Sequence, residues 1–231
     1  MPSSIRLALT LAAALLATAA CNAKASPATG PVPAPAQDAP RATAPGKQTA
    51  VVSGGCFWGI QAVFQHVKGV ISVTSGYSGG SAKTAEYEIV STGMTGHAES
   101  VEISYDPSQI SFARLLDVYF LAHDPTQLNR QGPDEGTQYR SAIFYTTPQQ
   151  KRLAEQYIRQ LEKIKTYQAP IVTQVVPLTA FYAAEGYHQH YLVHNRNNPY
   201  IVYNDLPKLA QLHNRFPALL KPQSQLAGLQ P

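Results

Sequence analysis

Cysteine is scarce in this chain, with two in 231 residues, Cys21 and Cys56. Two cysteines cannot build a disulfide framework or a cysteine-rich zinc set. Tryptophan occurs once, as Trp58. No Gly-rich loop is followed by Lys-Ser/Thr, and no dinucleotide fingerprint is present, so the nucleotide-binding signatures are missing. No internal repeat is present either. The formal charge is +4, yet Arg114, Lys163 and Lys208 form no basic stripe, so no nucleic-acid footprint is read. The apolar run Leu7–Ala20 is too short to span a bilayer.

What remains is one domain of ordinary size behind a non-globular N-terminus. Residues 1–21 have the build of an export signal: Arg6, an apolar run, then small residues. The stretch Leu16-Ala17-Thr18-Ala19-Ala20-Cys21 resembles a bacterial lipobox, with Thr18 where leucine is usual. Cys21 would then carry a lipid and could form no disulfide. The competing reading is cleavage after Ala23-Lys24-Ala25. Either way the protein is expected outside the cytoplasm, in the periplasm, anchored through Cys21 in the first reading. Asn22 after Cys21 leans towards outer-membrane sorting. Residues 22–48 are rich in Pro, Ala and Thr and are expected to be a disordered tether. The domain is expected over 49–215, with a flexible tail over 216–231.

The domain opens on Val51-Val52-Ser53-Gly54-Gly55-Cys56-Phe57-Trp58-Gly59. A β-branched run leads into two glycines, and then Phe57, Ile60, Phe64 and Val67 recur at helical spacing up to Lys68-Gly69. Cys56 is therefore expected where a strand hands over to a helix N-terminus. The dipole there favours a thiolate, the reactive form of cysteine. A free cysteine is also a small buried hydrophobe in many proteins, and the local pattern leaves both readings open.

Further on, Val70–Thr74 reads as a strand and Ala98–Tyr105 alternates cleanly. Glu99 shares the parity of Val101, Ile103 and Tyr105. On that inward face desolvation would raise its pKa and suit it to act as an acid. In water just outside the sheet it would not. Phe112, Leu115, Leu116, Tyr119 and Phe120 mark an amphipathic helix. His123–Gln138 is a long polar loop, and such loops tend to be functional. Tyr139–Tyr145 reads as a strand. Thr147-Pro148-Gln149-Gln150 opens a helix with a capping box, and Ile171–Val176 is a last strand. Strands alternating with helices give a mixed α/β sheet with helices packed on it. His188, His190 and His194 complete no recognisable metal set, and no metal is expected.

Five boxes carry a resemblance: Gly54-Gly55-Cys56-Phe57-Trp58-Gly59, Gly76-Tyr77-Ser78-Gly79-Gly80, Thr95-Gly96-His97-Ala98-Glu99, His123-Asp124-Pro125-Thr126-Gln127 and Gly136-Thr137-Gln138-Tyr139-Arg140-Ser141. In order and spacing they resemble the peptide methionine sulfoxide reductase A family over about residues 49–208. The resemblance implies a two-layer α/β (α+β) sandwich with a ferredoxin-like core. It implies reduction of the S epimer of methionine sulfoxide, free or in oxidised proteins, with no cofactor beyond an external, thioredoxin-like thiol. By position, Cys56 would be the nucleophile and Glu99 the acid. Tyr87 and Tyr139 would hydrogen-bond the sulfoxide oxygen. Phe57 and Trp58 would wall the methyl group, and Asp134 would fix the substrate backbone. The chain departs from many relatives at Gln61, where they carry Glu, and in having no cysteine after Cys56. A sulfenic acid on Cys56 would then have to be resolved by an external thiol. Two rival classes are a cysteine hydrolase pairing Cys56 with His97 or His188 and a metal binder using the tail histidines.

Overall fold

A computed structural model describes residues 31–226; the segment expected to be an export signal and Cys21 lie outside them. The strands are β1 (Gln48–Ser53), β2 (Val70–Ser78), β3 (Ala98–Tyr105), β4 (Arg130–Gln131), β5 (Asp134–Glu135), β6 (Ala142–Tyr145), β7 (Gln174–Pro177) and β8 (Phe181–Ala183). The helices are α1 (Phe57–Gln65), α2 (Tyr87–Val90), α3 (Phe112–Ala122), α4 (Pro148–Lys163), α5 (Tyr191–His194), α6 (Leu206–Arg215) and α7 (Gln223–Leu226).

Six strands form one sheet in the order β7-β6-β1-β3-β2-β8, and β4 and β5 form a separate hairpin. All sheet pairings are antiparallel except β6 with β7. The four central strands, β6-β1-β3-β2, are linked as β1-α1-β2-β3-α3-β6. That is the split βαβ, ferredoxin-like arrangement. Alternation decides which residues face the helices. Ala50, Val52, Val101 and Ile103 join α1 and α3 in the main core, whereas Val51, Ala98 and Phe144 pack on the opposite face. α1 contributes Phe57, Ile60, Val63 and Phe64, and α3 contributes Leu115, Leu116, Tyr119 and Phe120.

Helix starts follow cap chemistry. Ser111 Oγ accepts the Arg114 N–H at 3.2 Å to open α3, and Thr147 Oγ1 accepts the Gln150 N–H at 3.2 Å to open α4. The expected return bond of the capping box is displaced by one residue, because Gln150 Oε1 takes the Thr146 N–H at 2.8 Å while its amide donates to Thr49 O. α1 ends at Gln65, short of the expected Lys68. The Lys68 N–H is drawn to Leu219 O at 2.7 Å, and Val67 bridges to Leu220.

Two boundaries differ from expectation for the same reason: the flanking segments find partners. Tyr157 donates its hydroxyl to Pro33 O at 2.6 Å, Gln160 holds Ala34 O and the Ala36 N–H, and Arg215 reaches Val32 O. Ser111 bonds Asp38, and Val32 is buried in the main core. Residues 31–47 are therefore a docked arm where a disordered tether is expected. Pro31, Pro33 and Pro35 carry no N–H donors and have fixed φ, so ordering them leaves only carbonyls to satisfy and costs less chain entropy. Likewise residues 216–221 of the expected tail lie against the end of α1, where the Lys221 N–H bonds His66 O at 2.8 Å.

Val32→Asp should remove most of the roughly 2 kcal/mol that burying one valine side chain contributes, read as a lower urea midpoint. An unchanged midpoint would mean that the arm is not docked in solution.

Candidate active site

The site begins where β1 runs out. The Ser53 carbonyl accepts the Tyr119 hydroxyl at 2.8 Å, which pins the strand end to α3. Gly55 then adopts φ +90°, and a Cβ there would lie 2.5 Å from the Gln131 side chain, so the turn needs glycine. Cys56 is thereby set at the N-cap of α1, with no side-chain cap bond.

Glu99 is the second residue of β3 and is 3% exposed. Its Oε2 accepts the Phe57 N–H at 3.0 Å, one of the donors a helix start leaves unpaired. Burial raises its pKa from 4.5 to about 8; the Phe57 N–H opposes the shift, and Asp134 and Asp205 add to it. At neutral pH the carboxyl is mostly protonated and able to donate.

Of the two readings open for Cys56, the structure favours the buried one. The helix N-terminus does not make it a resting thiolate. Burial pushes its pKa well above the ordinary value, Glu99 and Asp205 add to this, and Lys208 and the Trp58 N–H oppose it without winning. The thiol and the carboxyl are thus both protonated at rest, and the negative charge of either disfavours ionisation of the other.

The remaining motif residues wire hydroxyls around this pair. Glu185 takes the Tyr77 hydroxyl and the Tyr87 N–H, each at 2.8 Å, which fixes Tyr87 at the start of α2. Arg140 donates to the carbonyls of Gly96, His97 and Thr137, and Thr137 Oγ1 donates to Gly93 O at 2.6 Å. These bonds hold Tyr139 opposite the end of the loop that delivers Glu99. Burial raises the pKa of Tyr87 to about 12 and that of Tyr139 further, so both remain donors. Trp58 stacks on Tyr191 at 3.7 Å between centroids and donates its indole N–H to His188 Nδ1 at 3.1 Å. Asp134 accepts the Tyr200 hydroxyl.

Cys56, Phe57, Trp58, Tyr87, Glu99, Asp134, Tyr139 and Tyr200 line one cavity of about 200 Å³. The seven residues of the described region to which the resemblance gave a role all lie there, whereas Gln61 and the histidines do not, and Cys21 lies outside the described residues. Sequence reasoning missed Tyr200 and the ion pair of Asp205 with Lys208, whose Nζ lies 2.9 Å from Asp205 Oδ1. An acid and a base three residues apart in a helical stretch were the available signal. Gln61 is buried away from the cavity, donating to Val73 O and Gln189 and accepting the His190 N–H at 2.7 Å.

Neither rival finds its geometry. His97 Nδ1 takes the Gly80 N–H and its Nε2 faces Ser81 O, while His188 Nδ1 is held by Trp58. Neither ring hydrogen-bonds Cys56, and with Nδ1 of His188 accepting from Trp58 its neutral ring carries the proton on Nε2, so that nitrogen is a donor rather than a base. Among the described residues no group of three His, Cys, Asp or Glu could hold a metal ion.

The profile of the family described as "Peptide methionine sulfoxide reductase" matches residues 48–219. "Peptide methionine sulfoxide reductase MsrA 2" of Mesorhizobium japonicum is 61% identical over 177 residues, 76% of this chain and 91% of that one. The protein of the same name from Synechocystis sp. is 52% identical over 183 residues, 79% of this chain and 86% of that one. Among solved structures, methionine sulfoxide reductase A of Corynebacterium diphtheriae superposes with a TM-score of 0.59 at 36% identity, covering 74% of this chain and 89% of that one. Reduced Mxr1 from Saccharomyces cerevisiae gives 0.60 at 32% identity, covering 66% and 87%.

The raised pKa of Glu99 sets the sign of a stability effect. Between the unfolded value and about 8, the folded protein holds a proton that the unfolded chain has lost. Stability is therefore lost as pH rises across that window. Glu99→Gln removes the effect. In urea unfolding, the stability of Glu99→Gln relative to wild type should rise from pH 5 to pH 8 by more than about 1.4 kcal/mol, the equivalent of one pKa unit.

Proposed function

The chain belongs to the peptide methionine sulfoxide reductase family, and on that footing we propose that it reduces methionine-S-sulfoxide, free or in oxidised proteins, through Cys56 with Glu99 as acid. The observation that carries this reading is the single cavity shared by one cysteine, one neutral carboxylic acid, three tyrosines and an aromatic wall. A sulfoxide sulfur resists thiol attack until its oxygen is protonated. Glu99 gives its proton to that oxygen while Tyr87 and Tyr139 donate hydrogen bonds to it. The Cys56 sulfur attacks the sulfoxide sulfur and the S–O bond breaks. The oxygen, released as water, then attacks the Cys56 sulfur, the new S–S bond breaks with its electron pair going to the sulfide, methionine leaves, and Cys56 is left as a sulfenic acid. Two electrons pass from the cysteine sulfur to the substrate sulfur. The water takes the protons of Glu99 and the thiol, and its attack returns one to Glu99, so the site ends with its acid neutral again. Phe57 and Trp58 take the methyl group, and Asp134, fixed by Tyr200, holds the substrate backbone.

Among the described residues Cys56 is the one cysteine, and it is free. The second half of the cycle therefore falls to an external thiol of the thioredoxin kind. That thiol attacks the sulfenic sulfur, water leaves, and a second thiol frees Cys56 from the mixed disulfide. No cofactor enters. The chemistry runs outside the cytoplasm, with the domain held to a membrane by a lipid on Cys21. The apolar run and the small residues before that cysteine support this location.

In a single turnover without reductant, wild type should release one methionine per protein from the S epimer alone and leave a dimedone-reactive Cys56. Cys56→Ser should release none, and Glu99→Gln should slow the step by about 10²–10⁴-fold. Equal release from the R epimer, or a protein-internal disulfide after turnover, would contradict the reading.

A further inference from the structure

Asp205 and Lys208 form an ion pair that the steps above leave unused. Lys208 Nζ donates to Asp205 Oδ1 at 2.9 Å, with the Asp205 side chain fully buried and that of Lys208 15% exposed. Removing two charges from water is costly, and the pair is not fully satisfied, since Asp205 Oδ2 is buried with no hydrogen-bond partner. The chain is distorted to place it. Ile201–Asp205 is a π turn in which the Leu206 N–H reaches back to Ile201 O, just ahead of Pro207. Such turns recur at functional sites. The pair is pressed onto the first turn of α1: a Cβ on Gly59 would lie 2.1 Å from Asp205 Oδ1 and 3.0 Å from Lys208 Nζ. Gly59 follows Cys56 by three residues, so the bare patch of helix that receives the pair lies beside the cysteine.

Building on the reductase reading, we propose that Lys208 is a positioning residue for that reaction: its ammonium, clamped by Asp205 against Gly59, supplies the positive charge that holds the Cys56 sulfur as its proton leaves. The other groups around Cys56 are Glu99 from β3, Asp134 from β5 and the hydroxyls of Tyr87, Tyr139 and Tyr200. Glu99 is neutral at rest, and Asp134 is tied to Tyr200. Lys208 and Asp205 act on Cys56 in opposite directions, the first easing loss of the thiol proton and the second opposing it. Asp205 therefore orients the cation, but its own opposing effect on Cys56 is the larger of the two, and the Lys208 charge offsets part of that cost.

The test is the pH dependence of Cys56 alkylation by iodoacetamide in the full chain, followed at the Cys56 peptide by mass spectrometry. It requires no reductase activity. Lys208→Met and Lys208→Gln should each move the midpoint up by a pH unit or more, which slows alkylation at neutral pH about tenfold. Lys208→Arg should stay close to wild type, and Asp205→Asn should move the midpoint down. A purely structural pair would instead give Lys208 and Asp205 variants that shift together or not at all, and either result overturns the proposal. Lys208→Gln keeps a donor for Asp205, so the measurement survives if Lys208→Met unfolds. Wild type that reduces no sulfoxide while the midpoints move would refute only the reductase reading. Active wild type with fixed midpoints would refute only the role of Lys208.

Discussion

The bond from the Phe57 N–H to the Glu99 carboxyl joins the start of α1 to the start of β3 in the interior of the protein. Its burial sets the character of the site. An ionised carboxylate there would lack the solvation that one N–H cannot replace, so the group is held neutral. The loops around it are pinned by side-chain hydrogen bonds. Arg140 binds three loop carbonyls, and Glu185 bridges β2 to α2. Each of these bonds is remote from the cysteine, yet each fixes the backbone that carries a tyrosine facing it.

A second constraint follows from the first. Cys56 and Glu99 share one low-dielectric space, and each anion raises the pKa of the other group. The resting enzyme therefore holds two protons and little thiolate. In the proposed reaction this couples the two events a sulfoxide needs. When the substrate oxygen takes the proton of Glu99, a carboxylate is left able to receive the thiol proton. A preformed thiolate would react with any oxidant, whereas this arrangement makes nucleophile formation depend on an oxygen that accepts a proton.

Much of this was legible in the sequence. The alternation of β3 put Glu99 on the inward face, and the period of α1 placed Cys56 at its start. The family resemblance assigned Tyr87, Asp134 and Tyr139 to one site, and they line the same cavity; the α/β order of elements led to the sheet observed. The failures have physical causes. Helix position alone suggested a thiolate at Cys56, but burial and neighbouring carboxylates outweigh a one-turn dipole effect. The Pro/Ala-rich segment read as a tether because it lacks apolar bulk. It docks through backbone carbonyls and Val32, a pattern that composition does not reveal. Tyr200, Asp205 and Lys208 lie where the helical period is broken by a π turn and Pro207, so periodicity could not assign them a face.

The central claim, that Glu99 is a neutral acid beside an un-ionised Cys56, is tested most directly by infrared difference spectroscopy of wild type against Glu99→Gln across pH. The account predicts a protonated-carboxyl band at pH 7 that belongs to Glu99 and disappears with a midpoint near 8. A Glu99 signal already in the carboxylate form at pH 7, with its midpoint near the ordinary value of 4.5, would contradict it.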